Sequence, residues 1–156
     1  MRVAICAVGR LRQGPEKTLI DDYLLRFNRT GRSLGLGPCD LIEVEDKRGG
    51  GMTTEADLLR NALPKGATAI CLDERGKTLS SPEFAQLLAR FRDQGQGPLA
   101  FVIGGADGID PGLRAETQTA ISFGAMVWPH MLARVMLTEQ LYRAATILGG
   151  SPYHRM

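Results

Sequence analysis

The sequence predicts an α/β fold, a mostly parallel sheet with helices on both faces, and three observations lead there. Apolar runs of strand length alternate with amphipathic stretches, the signature of βαβ units. One run, Leu99-Ala100-Phe101-Val102-Ile103, is apolar throughout, as suits a strand covered on both faces. The length of 156 residues and a 44% hydrophobic content fit a single domain over residues 1–156 with one core.

The first strand is Val3–Val8. Pro15 opens a helix just after Gly14, and Leu19, Ile20, Tyr23, Leu24 and Phe27 fall on one helical face. A second strand is read at Leu41-Ile42-Glu43-Val44, followed by the loop Asp46-Lys47-Arg48-Gly49-Gly50-Gly51. Thr54 with Asp57 three residues on predicts a capping box, and the helix runs to Leu63, closed by Pro64-Lys65-Gly66. Ala67–Leu72 is the third strand. Ser80-Ser81-Pro82-Glu83 supplies a cap and a first-turn proline, and Phe84, Leu87, Leu88 and Phe91 mark a buried stripe ending near Gln94-Gly95. The fourth strand, Leu99–Ile103, runs into Gly104-Gly105-Ala106-Asp107-Gly108, and a short fifth is expected over Thr119–Phe123. After Trp128-Pro129-His130 a long helix carries Leu132, Val135, Met136, Leu141 and Ala145 on a broad apolar stripe up to Gly149-Gly150.

Cys6, Cys39 and Cys71 are odd in number, two of them inside apolar strands, and read as reduced small hydrophobes. No zinc or disulfide framework is expected. The apolar N-terminus is cut short by Gly9-Arg10-Leu11-Arg12, too early for a signal peptide, and no later run approaches a membrane span. A cytoplasmic location follows as an expectation. A net charge of +2 neither demands nor excludes a nucleic acid partner.

In open α/β sheets ligands bind beyond the carboxyl ends of the strands, and Gly104, Gly105 and Gly108 lie there. Their spacing is neither a dinucleotide fingerprint nor a phosphate loop, so the glycines alone fit a tight turn as well as a ligand site. Ser122-Phe123-Gly124-Ala125-Met126-Val127-Trp128 leaves a strand without clear periodicity. It reads either as a buried connection or as the main-chain and apolar wall that an adenine needs. The C-terminus concentrates an aromatic ring, an imidazole and a guanidinium in Tyr153-His154-Arg155, a combination suited to single-stranded RNA.

Four segments together are more specific: Phe101 to Gly108, Pro129-His130-Met131-Leu132-Ala133-Arg134, Glu139-Gln140-Leu141-Tyr142-Arg143-Ala144 and Pro152-Tyr153-His154-Arg155. With the chain length and the opening strand through Ala7-Val8-Gly9, they resemble the ribosomal large-subunit methyltransferase H family of the SPOUT superfamily. That resemblance implies a C-terminal deep trefoil knot holding S-adenosyl-L-methionine, no metal, and a homodimer. It implies methylation at N3 of a pseudouridine in 23S rRNA, on the assembled ribosome. By the same resemblance Leu72, Gly104, Gly105 and Phe123, Gly124, Ala125, Met126, Val127 and Trp128 contact the cofactor. Arg134, Glu139, Tyr142, Arg143, Tyr153, His154 and Arg155 form the polar catalytic set.

Within that set His154, directly or through a water, is expected to take the N3 proton, with Arg143 and Arg155 on phosphate and Tyr153 against the base. His130 is the rival base, though a capping role at its helix start is favoured. Glu139 and Arg143 are spaced i, i+4, as an ordinary surface pair or as a pair buried between two copies. Arg10, Arg12, Lys47 and Arg48 with the C-terminal arginines offer one local basic patch, doubled in a dimer. Two other readings stand beside this one: a related knotted enzyme acting on tRNA or another rRNA position, and a non-catalytic ribosome-binding factor.

Overall fold

A computed structural model describes residues 1–155 of the chain. Strand β1 (Val3–Val8) is buried along its whole length, because it lies between β2 (Cys39–Val44) and β4 (Leu99–Ile103) and is covered on both faces. With β3 (Thr68–Thr78) and β5 (Thr119–Ser122) these strands form one parallel sheet of order β2-β1-β4-β3-β5.

Side chains alternate across the sheet and so feed two cores. On one face Val3, Ile5, Ala7, Leu99, Phe101 and Ile103 pack with α1 (Pro15–Gly31), α3 (Ser81–Gln94) and α5 (His130–Gly149), through Phe27, Phe84, Leu88, Leu137 and Leu141. The Phe84 and Phe101 rings meet 5.8 Å apart. On the other face the smaller Ala4, Cys6, Ala100 and Val102 pack with Ala56 and Leu59 of α2 (Gly51–Ala62) and with Leu113 of α4 (Pro111–Glu116). All three cysteines are buried and free.

The cap at Ser80 forms as expected: its hydroxyl accepts from the Glu83 N–H while the Glu83 carboxylate accepts from the Ser80 N–H. The capping box expected at Thr54 and Asp57 does not form. Helix α2 starts earlier, at Gly51, because the Asp46 carboxylate accepts from the Arg48 and Gly51 N–H groups and takes over the capping role from the loop. Two elements carry no counterpart in the sequence reading: a 3-10 turn at Arg32–Leu34, and α4, where Asp110 caps the Leu113 N–H ahead of Pro111. Strand β5 ends at Ser122, one residue short of the expected limit.

The largest departure is β3, which continues six residues past Leu72. Leu72 and Lys77 both stand opposite Ile121, so residues 73–76 leave the ladder and return to the same strand. Gly76 makes the return possible: a Cβ there would lie 2.6 Å from the Ala120 carbonyl carbon. The Ser122 hydroxyl holds the detour by donating to the Glu74 carbonyl at 3.1 Å.

Candidate active site

A cavity of about 460 Å³ opens at the carboxyl ends of β3, β4 and β5. Its wall is built from Leu72 to Arg75 leaving β3, Ile103 to Ile109 leaving β4, and the segment after β5, with His130 and Ala133 of α5 closing one side. Of the expected cofactor residues, Leu72, Gly104, Gly105, Phe123, Gly124, Met126, Val127 and Trp128 all line it; Ala125 belongs to the same segment but not to the wall. Gly104 is required by packing, since a Cβ would run into the Gly108 backbone. Gly108 closes the turn from a φ of +87°, its N–H donating to Gly105 at 3.0 Å. Met126 and Val127 are 74% and 78% exposed, so an apolar rim stands open to solvent around the mouth.

Among the polar groups in this wall are Asp73, which the sequence reading missed, and His130, its rival base. Asp73 has a side chain only 6% exposed, held by Arg75 at 3.1 Å and Arg114 at 3.2 Å. Burial works to raise its carboxyl, but the hydrogen bonds from Arg75 and the charge of Arg114 outweigh it and hold the pKa below the usual carboxylate range. His130 is the first residue of α5 with Pro129 as the N-cap, so it does not cap the helix as expected. Its Nδ1 is buried without a hydrogen-bond partner. Burial and the neighbouring Arg134 charge push its pKa down, leaving a neutral imidazole in the cavity wall.

Glu139, Arg143, Tyr153 and His154 come together on the second half of α5 and the tail. Arg143 donates twice to one Glu139 oxygen, at 2.9 and 2.6 Å, and the Tyr153 hydroxyl donates to the same oxygen at 3.0 Å. Burial and this bond push the Tyr153 phenol up to about 12. The Arg143 guanidinium lies 4.8 Å from the Tyr153 ring centre and reaches His154 Nδ1 at 3.2 Å. A guanidinium only donates, so Nδ1 supplies the lone pair and the neutral ring carries its proton on Nε2. In that arrangement Nε2 is the atom that His154 presents to anything beyond it. Tyr142 packs on Tyr153 at 4.6 Å and on Tyr23 of α1 at 6.4 Å, with Arg26 stacked 5.7 Å from its ring. Tyr23 stands in the sequence reading only on the apolar face of its helix and Arg26 not at all, because residues of α1 meet the tail only in three dimensions. Arg155 is exposed.

Arg134 stands apart from this set. It is fully buried, donating to Glu43 at 2.7 Å and to the Val8 and Gly9 carbonyls at 3.1 Å each. Glu43 also accepts from the Leu11 N–H at 2.7 Å. Together they fasten the loop after β1 to the start of α5. None of the polar set lines the 460 Å³ cavity. The two regions meet at Phe123 and Gly124, which line that cavity and also a groove of about 440 Å³ that includes Tyr23 and Glu139.

Among the described residues there is no cluster of three or more His, Cys, Asp or Glu side chains able to hold a metal ion, and no helix long and apolar enough to cross a membrane. The family model described as "Predicted SPOUT methyltransferase" matches residues 1–154. Proteins named ribosomal RNA large subunit methyltransferase H from a Ruegeria species and from Ruegeria pomeroyi are each 72% identical over 156 residues, covering all of both chains. The protein of that name from Dinoroseobacter shibae is 67% identical over the same span. Among solved structures, a probable methyltransferase from Bordetella pertussis matches with a TM-score of 0.52 at 18% identity, covering 92% of this chain and 96% of that one. A probable methylase family protein from Haemophilus influenzae matches at 0.55 and 12% identity, covering 99% and 70%. Both show the same fold.

Proposed function

The chain belongs to the SPOUT methyltransferase family, and from that premise we propose that it transfers a methyl group from S-adenosyl-L-methionine to large-subunit ribosomal RNA, at N3 of a pseudouridine on the assembled ribosome. The observation that carries this reading is the convergence of three chain segments, Leu72–Arg75, Gly104–Gly108 and Phe123–Trp128, on one cavity. The full-length relatives named for rRNA methylation point the same way. The cavity fits the cofactor in size and chemistry: it is within the range of small-molecule sites, close main chain at Gly104 replaces side chains, and His130 Nδ1 awaits a partner.

When bound, the sulfonium supplies an electrophilic methyl group that needs alignment more than activation. The glycine loop and the apolar rim hold it and exclude water, and positioning of this kind contributes on the order of 7–11 kcal/mol in favourable cases. Arg143 and Arg155 supply positive charge where the N3–H of the base ionises. Arg143 is itself fixed by Glu139, so it faces the substrate without rotating freely. His154 donates its Nε2–H to a substrate oxygen, and the N3 proton leaves to water. Tyr142 and Tyr153 offer ring faces for the base.

Arg12, Lys47 and Arg48 have no ion-pair partner among the described residues and lie in the loops after the adjacent strands β1 and β2. They serve as phosphate contacts. Leu19, 43% exposed on α1 and lining the groove with Tyr23 and Glu139, supports a homodimer in which a second copy packs on that groove. Membership of the family carries with it the C-terminal knot as part of this reading. A cytoplasmic location follows from the ribosomal substrate.

Ribosomes lacking the modification, incubated with methyl-labelled cofactor and digested to nucleosides, test the reading. Label is expected in N3-methylpseudouridine. Label in another nucleoside, or in tRNA, would assign the enzyme elsewhere, and absence of cofactor binding by calorimetry would make the chain a binding factor.

A further inference from the structure

A second groove, of about 810 Å³, runs between α3 and the sheet edge formed by β5 and the returning part of β3. Its α3 side is a single ridge at i, i+4 spacing, Gln86, Arg90 and Gln94, and the opposite side carries Lys77, Gln118 and Thr119. Neither cation has an ion-pair partner, and no side chain of these three glutamines makes a hydrogen bond, among the described residues. The one carboxylate in the groove, Glu83, is committed to the Ser80 cap. The groove therefore presents two free cations against one carboxylate, which its cap holds at the start of α3, and a row of amides that both donate and accept.

The groove also neighbours the cofactor cavity: Ile121 lines both, and the six residues from Leu72 to Lys77 carry the chain from one to the other. We propose that this groove is a second RNA-binding surface, holding a single-stranded stretch of the substrate's phosphate backbone on Lys77 and Arg90 with the glutamines on sugar and base edges. The inference rests on the proposed function only in its choice of RNA over another polyanion.

The test compares the wild-type chain with Lys77→Ala/Arg90→Ala, both exposed positions whose loss leaves the core intact. The probe is a dye-labelled oligouridylate titrated by fluorescence anisotropy at several potassium chloride concentrations. The affinity should fall about tenfold, and the slope of log affinity against log salt should drop by about 1.4, two phosphate contacts at ~0.7 each. Lys77→Arg/Arg90→Lys should keep most of both. Cofactor affinity by calorimetry should be the same in all three, so a wild type that binds RNA but no cofactor would sink the proposed function and leave the groove standing. Unchanged RNA affinity and slope in the double alanine variant would overturn the groove. So would an oligoglutamate peptide binding there in place of RNA, or a variant whose sedimentation shows a lost dimer, since the groove would then be a protein interface.

Discussion

His154 gives its Nδ1 lone pair to Arg143, and this one contact separates two accounts of catalysis. If the imidazole acts as an Nε2–H donor, His154→Gln keeps both an acceptor for Arg143 and a donor for substrate. Turnover should then stay within about tenfold of wild type, while His154→Ala loses on the order of 10²-fold with cofactor affinity intact. Equal loss in both variants would restore His154 as the base. Tyr153 gives a second reading of the same cluster. Its phenol is raised to about 12, so the bond to Glu139 is complete below the ordinary tyrosine value of ~10 and is lost as pH rises through about 12. Ultraviolet titration should show one tyrosine ionising late, and Tyr153→Phe should remove that step; a Tyr153 that titrates with an ordinary value would break the proposed geometry. Arg134 was legible in sequence as a polar helix residue but not as a buried one, because its partners Val8, Gly9 and Glu43 come from distant strands. Arg134→Met leaves Glu43 without its cation and should cost about 3 kcal/mol in urea unfolding, part of it recovered by adding Glu43→Gln.

At the scale of elements, local signals worked for most of the helices that the chain caps within a turn. The Ser80 cap, the Gly95 stop and the starts at Pro15 and Pro82 were readable, while the short Asp110-Pro111 start of α4 was passed over, and Ser80→Ala should cost about 1 kcal/mol, seen as a melting temperature lower by about 2–4 °C. Thr54 misled because Asp46, from outside the helix, supplies the cap instead. The extension of β3 was unreadable for a related reason: Asp73, Glu74, Arg75 and Gly76 look like a polar turn, and only the approach of Ala120 and Ile121 turns them back into a strand. Gly76→Ala should therefore disturb the cavity wall from Leu72 to Arg75. Cofactor affinity measured by calorimetry should fall at least tenfold, more than any loss of overall stability explains; normal affinity would show that the detour tolerates a Cβ.

For the whole molecule, the sheet and its two covered faces were legible, because strand runs and helix periodicity record burial directly, whereas the residues assigned to a cofactor came from the family resemblance and not from any periodicity. The separation of the polar cluster from the cofactor cavity was not legible, since nothing in spacing tells that Phe123 and Gly124 stand between them. Charge is the remaining whole-molecule property with a consequence. A net +2 over 156 residues is small for a protein that must hold naked RNA by phosphate neutralisation alone. Five cations without an ion-pair partner among the described residues instead form two local sets, Arg12, Lys47 and Arg48 in the loops after β1 and β2 and Lys77 and Arg90 in the groove beside α3, separated by the sheet. Two separated patches of modest charge favour RNA whose strands are already held in place at both patches over a free chain that must order itself to reach them. Methylation of isolated 23S rRNA should accordingly be at least tenfold slower than methylation of intact ribosomes at the same RNA concentration, and the gap should widen as salt rises, because screening removes charge contacts but not shape. Equal rates on naked rRNA and on ribosomes across a salt series would show that charge alone suffices and that the assembled particle is not part of recognition.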